Sequence, residues 1–104
     1  MNEKLENWFA QMPVVAILRG VRPEEVVAIG ESLYSAGIGI IEVPLNSPEP
    51  LASIKNLADA LGDRCVIGAG TVLTEADVEG VAAAGGQIAV SPNTNPAVIA
   101  RSLA

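Results

Sequence analysis

A carboxylate stands inside an apolar run at "IGIIEV" (38–43), where Glu42 follows Ile38, Ile40 and Ile41. An ionised carboxyl is among the most expensive groups to bury without a partner, so a strand that carries one has a use for it. Three other segments offer complementary chemistry. "VVAIL" (14–18) runs into Arg19-Gly20, and a guanidinium presents a fork suited to a carboxylate or phosphate. "CVIGAG" (65–70) leads into Thr71, and its glycines, lacking a Cβ, let a ligand approach the backbone closely. "QIAVS" (87–91) is followed by Pro92 and Asn93. On neighbouring parallel strands these residues share one C-terminal rim, where such folds put their chemistry, and together they describe a small anionic substrate beside one acid/base carboxylate.

Each residue also has a plainer reading. Glu42 could pair with Arg19 one strand over as a structural ion pair, although its place at the rim tips the balance toward function. Arginines after strands are often solvated, threonines finish strands and cap helices, and Pro92 and Asn93 are turn formers. The "GAG" run is weak evidence for a phosphate site and lacks the longer dinucleotide-binding pattern. Cys65, in an apolar run, reads as core.

The elements that must position these residues are marked by glycine and proline. After an amphipathic opening helix with Leu5, Trp8 and Phe9 at helical spacing, the four apolar runs alternate with helix-forming segments. "RPEEVVAIGESLYSAG" has Pro23 at a first helical position and closes on Gly37. "SPEPLASIKNLADALG" opens on Ser47-Pro48 and closes on Gly62. "TEADVEGVAAAGG" pairs a Thr74 cap with Asp77 three residues on, and "NPAVIARSLA" opens on Asn95-Pro96. Alternation of this kind predicts βα units around a parallel sheet. A faint repeat, A-G-x-x-I-x-x-x-P-x-x-x-P, aligns Ile40 with Ile88, Pro44 with Pro92 and Pro48 with Pro96, two βα units apart. Pairwise duplication of that kind suits a barrel.

Composition bounds the rest. The chain has 104 residues, is 50% hydrophobic and carries a net charge of −6, with its four arginines scattered, which argues against nucleic acid or an anionic membrane as partner. Without histidine and with one cysteine, it has neither an internal disulfide nor a His/Cys zinc site. "MNEKLENWFAQMP" lacks the long apolar core of a signal or an anchor, so a reducing cytoplasm is expected. No domain boundary is visible within 1–104.

"VVAILRG", "AGIGIIEVPLNSP", "VIGAGTVLT" and "SPNTNPAVI" resemble, in order and spacing over nearly the whole chain, the N-terminal half of the 2-keto-3-deoxy-6-phospho-sugar-acid aldolases, most closely the 6-phosphogalactonate branch. The resemblance implies a (β/α)8 TIM barrel, a homotrimer, no cofactor or metal, and reversible cleavage of the sugar acid to pyruvate and D-glyceraldehyde 3-phosphate through a lysine Schiff base. It also implies that Glu42 is the general acid/base, that Arg19 and Thr71 hold the pyruvate carboxylate or nearby hydroxyls, and that Pro92 shapes the wall. Asn46 stands where the gluconate-specific sisters commonly have arginine, which favours the galactonate epimer.

The family's lysine lies on the sixth strand, and no residue here matches it. Lys4 and Lys55, the only lysines, fall in helices rather than at the rim, so the 104 residues alone are expected to be inactive. The last helix ends at Ala104 without a stop signal, and four units make half of a barrel that typically needs about 250 residues. Half a barrel would leave two strand edges and an inner face uncovered, with poor solubility or self-association as the expected result. Two other readings stay open from the sequence: a sugar-phosphate isomerase or epimerase using Glu42 as base, and a non-catalytic half-barrel that dimerises through its edges.

Overall fold

The computed structural model describes residues 3–104. Helix α1 (Glu3–Gln11) is followed by β1 (Val15–Ile17), α2 (Pro23–Ser35), β2 (Ile40–Pro44), α3 (Pro50–Leu61), β3 (Val66–Gly70), α4 (Glu75–Ala83), β4 (Ile88–Ala89) and α5 (Pro96–Leu103). The strands form one parallel sheet in the order β1-β2-β3-β4. Sequential order with every crossover helical is the βα array that the alternation predicted.

Local chemistry explains most boundaries. Pro23 starts α2, and the Glu25 carboxylate accepts from the Arg22 amide at 3.0 Å, while Gly37 leaves the helix at φ +95°. At α4, Thr74 Oγ1 accepts from Asp77 N and the Asp77 carboxylate accepts from Thr74 N, a reciprocal cap. Asn95 caps α5 by accepting from Ala97 N. Helix α3 closes on Gly62 as expected, at an ordinary right-handed φ of −63° and with no room for a Cβ against the Ala58 carbonyl oxygen. Two expectations are corrected. Helix α3 begins at Pro50 rather than at Ser47-Pro48, because the second proline takes the first helical position and Glu49 before it turns left-handed at φ 42°. Strand β4 holds two ladder residues instead of five, as it pairs on one side only.

The core lies between one sheet face and the helices. Ile41, Val43, Ile67 and Ala69 pack there against Val26, Ile54, Leu57 and Leu61. Because side chains alternate along a strand, Ile40, Glu42 and Val66 belong to the opposite face. All five residues of β2 and of β3 are buried, as in a strand covered on both sides, whereas Ile17 on β1 is 54% exposed. The uncovered inner face expected from sequence is therefore confined to the flanks of the sheet. Among the described residues no helix is long and apolar enough to cross a membrane.

Helix α1 fastens the N-terminal end. Lys4 Nζ donates to the Gly62 carbonyl and Trp8 Nε1 to the Arg64 carbonyl, while the indole meets Tyr34 edge-on at 6.2 Å. The indole also occupies the space where a Cβ on Gly39, just before β2, would stand. Gly39→Ala therefore has to displace Trp8. A destabilisation of about 1–3 kcal/mol is expected from such overpacking, with a red shift in the emission of this single tryptophan. An unchanged emission maximum and melting temperature would show that α1 docks independently of this contact.

Candidate active site

Parallel pairing places Glu42 opposite Ile17 on β1 and Gly68 on β3, and Pro44 opposite Gly70. Pro44 is thus the last ladder residue of β2, one position later than the hydrophobic run indicated. Glu42 is 4% exposed, and its Oε2 has no hydrogen-bond partner among the described residues. Among the described residues only Ser53 in α3 shares that condition, and a bare hydroxyl is far cheaper to bury than a bare carboxylate. Burial raises the Glu42 carboxyl above its ordinary value near 4.5, and the positive charge of Arg19 pulls it part of the way back. A raised carboxyl pKa suits a group that must both take and give a proton near neutral pH.

The space around this carboxylate is made by β3. A Cβ on Gly70 would collide with both Glu42 carboxylate oxygens, and one on Gly68 would collide with Ile88. The sequence suggested that these glycines admit a ligand; in the fold, the atoms occupying those spaces belong to Glu42 and to β4. Thr71, directly after Gly70, has φ 58°. For a β-branched residue this left-handed backbone is a true outlier, and such strain, of order 1–3 kcal/mol, clusters at functional sites.

Arg19 is exposed in the turn after β1, and among the described residues it is the one arginine without an ion pair. Arg22 pairs with Glu24 and Glu25, Arg64 with Glu31 and Asp63, and Arg101 with Glu79. The structural Glu42–Arg19 ion pair weighed above is not formed; the two interact only through the longer-range field. Asn46 and Pro92 are exposed in the loops after β2 and β4, and Thr71 is half-buried after β3. Arg19, Asn46, Thr71 and Pro92 thus follow the C-terminal ends of their strands, while Glu42 is the middle ladder residue of β2. The lysines are elsewhere: Lys4 is tied to the loop after α3, and Lys55 pairs with Asp59 at 3.0 Å on the exposed side of α3. Cys65 is buried, as expected of a core thiol. Sequence reasoning missed Ser47, buried in the loop after β2, because a serine before a proline reads as a helix cap.

A parallel βα array with a buried acid on a central strand and an arginine without an ion pair beyond a strand's C-terminal end is an arrangement shared by barrels and open α/β sheets, both of which place ligands at that end. Comparison with known proteins narrows the class. The family model "Aldolase: KDPG and KHG aldolase" matches residues 5–103. The chain is 49% identical over 89 residues to a probable 2-dehydro-3-deoxy-6-phosphogalactonate aldolase of Rhizobium meliloti, covering 86% of this chain and 42% of that one. It is 43% identical over 97 residues to the 2-dehydro-3-deoxy-6-phosphogalactonate aldolase of Escherichia coli, covering 93% and 47%. A native KDPGal structure superposes with a TM-score of 0.87 at 43% identity over 89% of this chain and 45% of that one. The Legionella pneumophila KDPG aldolase, solved with pyruvate captured as a covalent carbinolamine, superposes at 0.81 with 31% identity over 90% and 45%. The chain belongs to the KDPG and KHG aldolase family, whose fold is the TIM barrel. It spans about half the length of the curated relatives it matches.

The raised Glu42 carboxyl fixes a stability test. A carboxyl whose folded pKa lies above its unfolded value stabilises the fold while protonated, and that contribution is lost as pH rises from near 4.5 through the folded value. Glu42→Gln has no such loss. The melting temperature of the parent should fall relative to that of Glu42→Gln as pH is raised through this window; parallel curves would mean that Glu42 titrates as if in water.

Proposed function

We propose that residues 1–104 form the N-terminal half of a single TIM-barrel domain in a class I aldolase. The reaction is cleavage of 2-keto-3-deoxy-6-phosphogalactonate to pyruvate and D-glyceraldehyde 3-phosphate. The observation that carries this reading is the Glu42 carboxylate, buried in β2 with a bare oxygen and within the field of an arginine that has no ion pair. Family membership supplies the chemistry such a pair serves. Glu42 moves protons as the ketone becomes a carbinolamine and then an imine, and takes the hydroxyl proton as the C–C bond breaks toward the imine. Arg19 and Thr71 hold the carboxylate end of the substrate, and Pro92 shapes the wall. Asn46, a neutral amide, favours the galactonate over the gluconate epimer, in line with the phosphogalactonate relatives. Activity as a homotrimer in the cytoplasm, with no cofactor, is part of the same reading.

Neither Lys4 nor Lys55 lies where it could reach the Glu42 rim, so the imine-forming amine is assigned to residues outside these 104. The experiment is incubation with pyruvate and borohydride followed by intact-mass measurement. A protein that carries this sequence within a complete barrel should gain one reduced pyruvate, and the 10.6 kDa polypeptide alone should gain none. An adduct on Lys4 or Lys55 would overturn the assignment. In the complete enzyme, Glu42→Gln should lower turnover by about 10²–10⁴-fold, the usual contribution of a positioned acid/base; near-wild-type turnover would remove Glu42 from the mechanism.

A further inference from the structure

Two loops at the rim are joined by a single side chain. Arg19 and Gly20 form the tip of a four-residue turn in which Val21 N donates to the Leu18 carbonyl at 3.4 Å. Gly20, at the third position, has φ +78°, the left-handed value that a type II turn requires there. The closing bond is long, so the turn is not held by its own backbone alone. What holds it from outside is Ser47, 27 residues later in the loop after β2, whose Oγ accepts from Gly20 N at 3.1 Å. Ser47 is itself set by its own amide, which donates to the Pro44 carbonyl at 3.0 Å, and its side chain is buried, with the residue only 6% exposed. Pro44 ends the strand that carries Glu42, so this path ties the Arg19 turn to the frame of Glu42.

We infer that Ser47 is a positioning residue: by accepting the Gly20 amide it fixes the turn that presents Arg19 beside Glu42. The inference deepens the aldolase reading and rests on it only for its kinetic consequence. Physically, Arg19 has no ion pair to anchor its charge, so the location of that charge depends on its backbone. Among the described residues Arg19 is the one charged group acting on Glu42, and the flanking strands β1 and β3 carry no ionisable side chain facing it. Loosening the turn therefore moves the one counter-charge that Glu42 feels, and it also loosens the cation offered to an anionic substrate.

The direct test does not need the enzymatic reaction. The Glu42 carboxyl is titrated by carbon-13 NMR in the parent, Ser47→Ala, Ser47→Thr, Arg19→Met and the Ser47→Ala/Arg19→Met double variant. Ser47→Ala should raise the Glu42 pKa, Ser47→Thr should restore it by keeping the acceptor, and in the Arg19→Met background Ser47→Ala should have no further effect. If Ser47→Ala does not fold, Ser47→Cys, nearly isosteric with a much weaker acceptor, takes its place. An unchanged Glu42 titration in the folded variant, or an effect that persists without Arg19, overturns the inference. In the complete aldolase, Ser47→Ala should also raise KM for the sugar acid and shift the Glu42 limb of the pH–rate profile upward, with Ser47→Thr close to the parent. An absence of aldolase activity in the parent would defeat the functional reading while leaving the NMR result to decide the role of Ser47.

Discussion

The arrangement of this chain turns on a carboxylate kept in an apolar strand without a hydrogen bond to one of its oxygens. Leaving such a group uncompensated opposes folding, and the structure tolerates it by limited means. The backbone around it is satisfied: Leu18 N donates to the Glu42 carbonyl, extending the β1–β2 ladder past its last paired residues. Hydrophobic burial that offsets the unfavourable term is placed on the other sheet face, where Ile41 and Val43, the immediate neighbours of Glu42 in sequence, enter the helix-covered core. Alternation along β2 thus divides one strand: Ile41 and Val43 enter the helix-covered core, while Glu42 between them turns its carboxylate to the other face.

That division requires specific neighbours. Gly70 makes room for the carboxylate, and with alanine there the Glu42 side chain would have to leave its place. The next residue, Thr71, takes a left-handed backbone that it would not adopt unless the surrounding structure imposed it. At the opposite end of the sheet the requirements are ordinary: a lysine and a tryptophan satisfy carbonyls of the loop after α3, and an aromatic ring packs against a glycine. Strain and bare polar atoms sit at the C-terminal rim, while satisfied contacts sit at the N-terminal end. This is the polarity expected when one end of a βα array carries function and the other carries stability.

Much of this was legible in the sequence because proline, glycine and small polar residues act locally. Pro23, Gly37, the Thr74–Asp77 pair and Asn95 each set a boundary through bonds within a few residues, and the parallel order follows from the alternation they delimit. What was hidden is non-local. That Gly70 lies against Glu42 depends on a register that pairs residues 26 apart on β2 and β3, and nothing in "GAG" distinguishes room for a ligand from room for a side chain. Ser47 reads as the cap of the following helix until Pro50 is seen to start that helix, which frees the serine for Gly20. The short β4 was overestimated because an apolar run such as Ile88-Ala89-Val90 reads alike whether one neighbouring strand or two are available.

The charge balance sharpens the meaning of Arg19. With twelve acidic residues against six basic ones, carboxylates are in excess everywhere on this chain, and the other three arginines each have at least one within ion-pairing distance. Arg19 escapes pairing in this setting because the acids around it are engaged elsewhere or recessed. The turn that carries it contains Leu18, Gly20 and Val21; Glu25 lines the same cavity but is engaged by the Arg22 amide and guanidinium, and Glu42 is recessed in the sheet. The guanidinium has no ion pair to occupy its donors, and its field restrains the rise in the Glu42 pKa. On the aldolase reading proposed above, a substrate carboxylate held by Arg19 would neutralise part of that field, and by the same physics would favour the protonated form of Glu42.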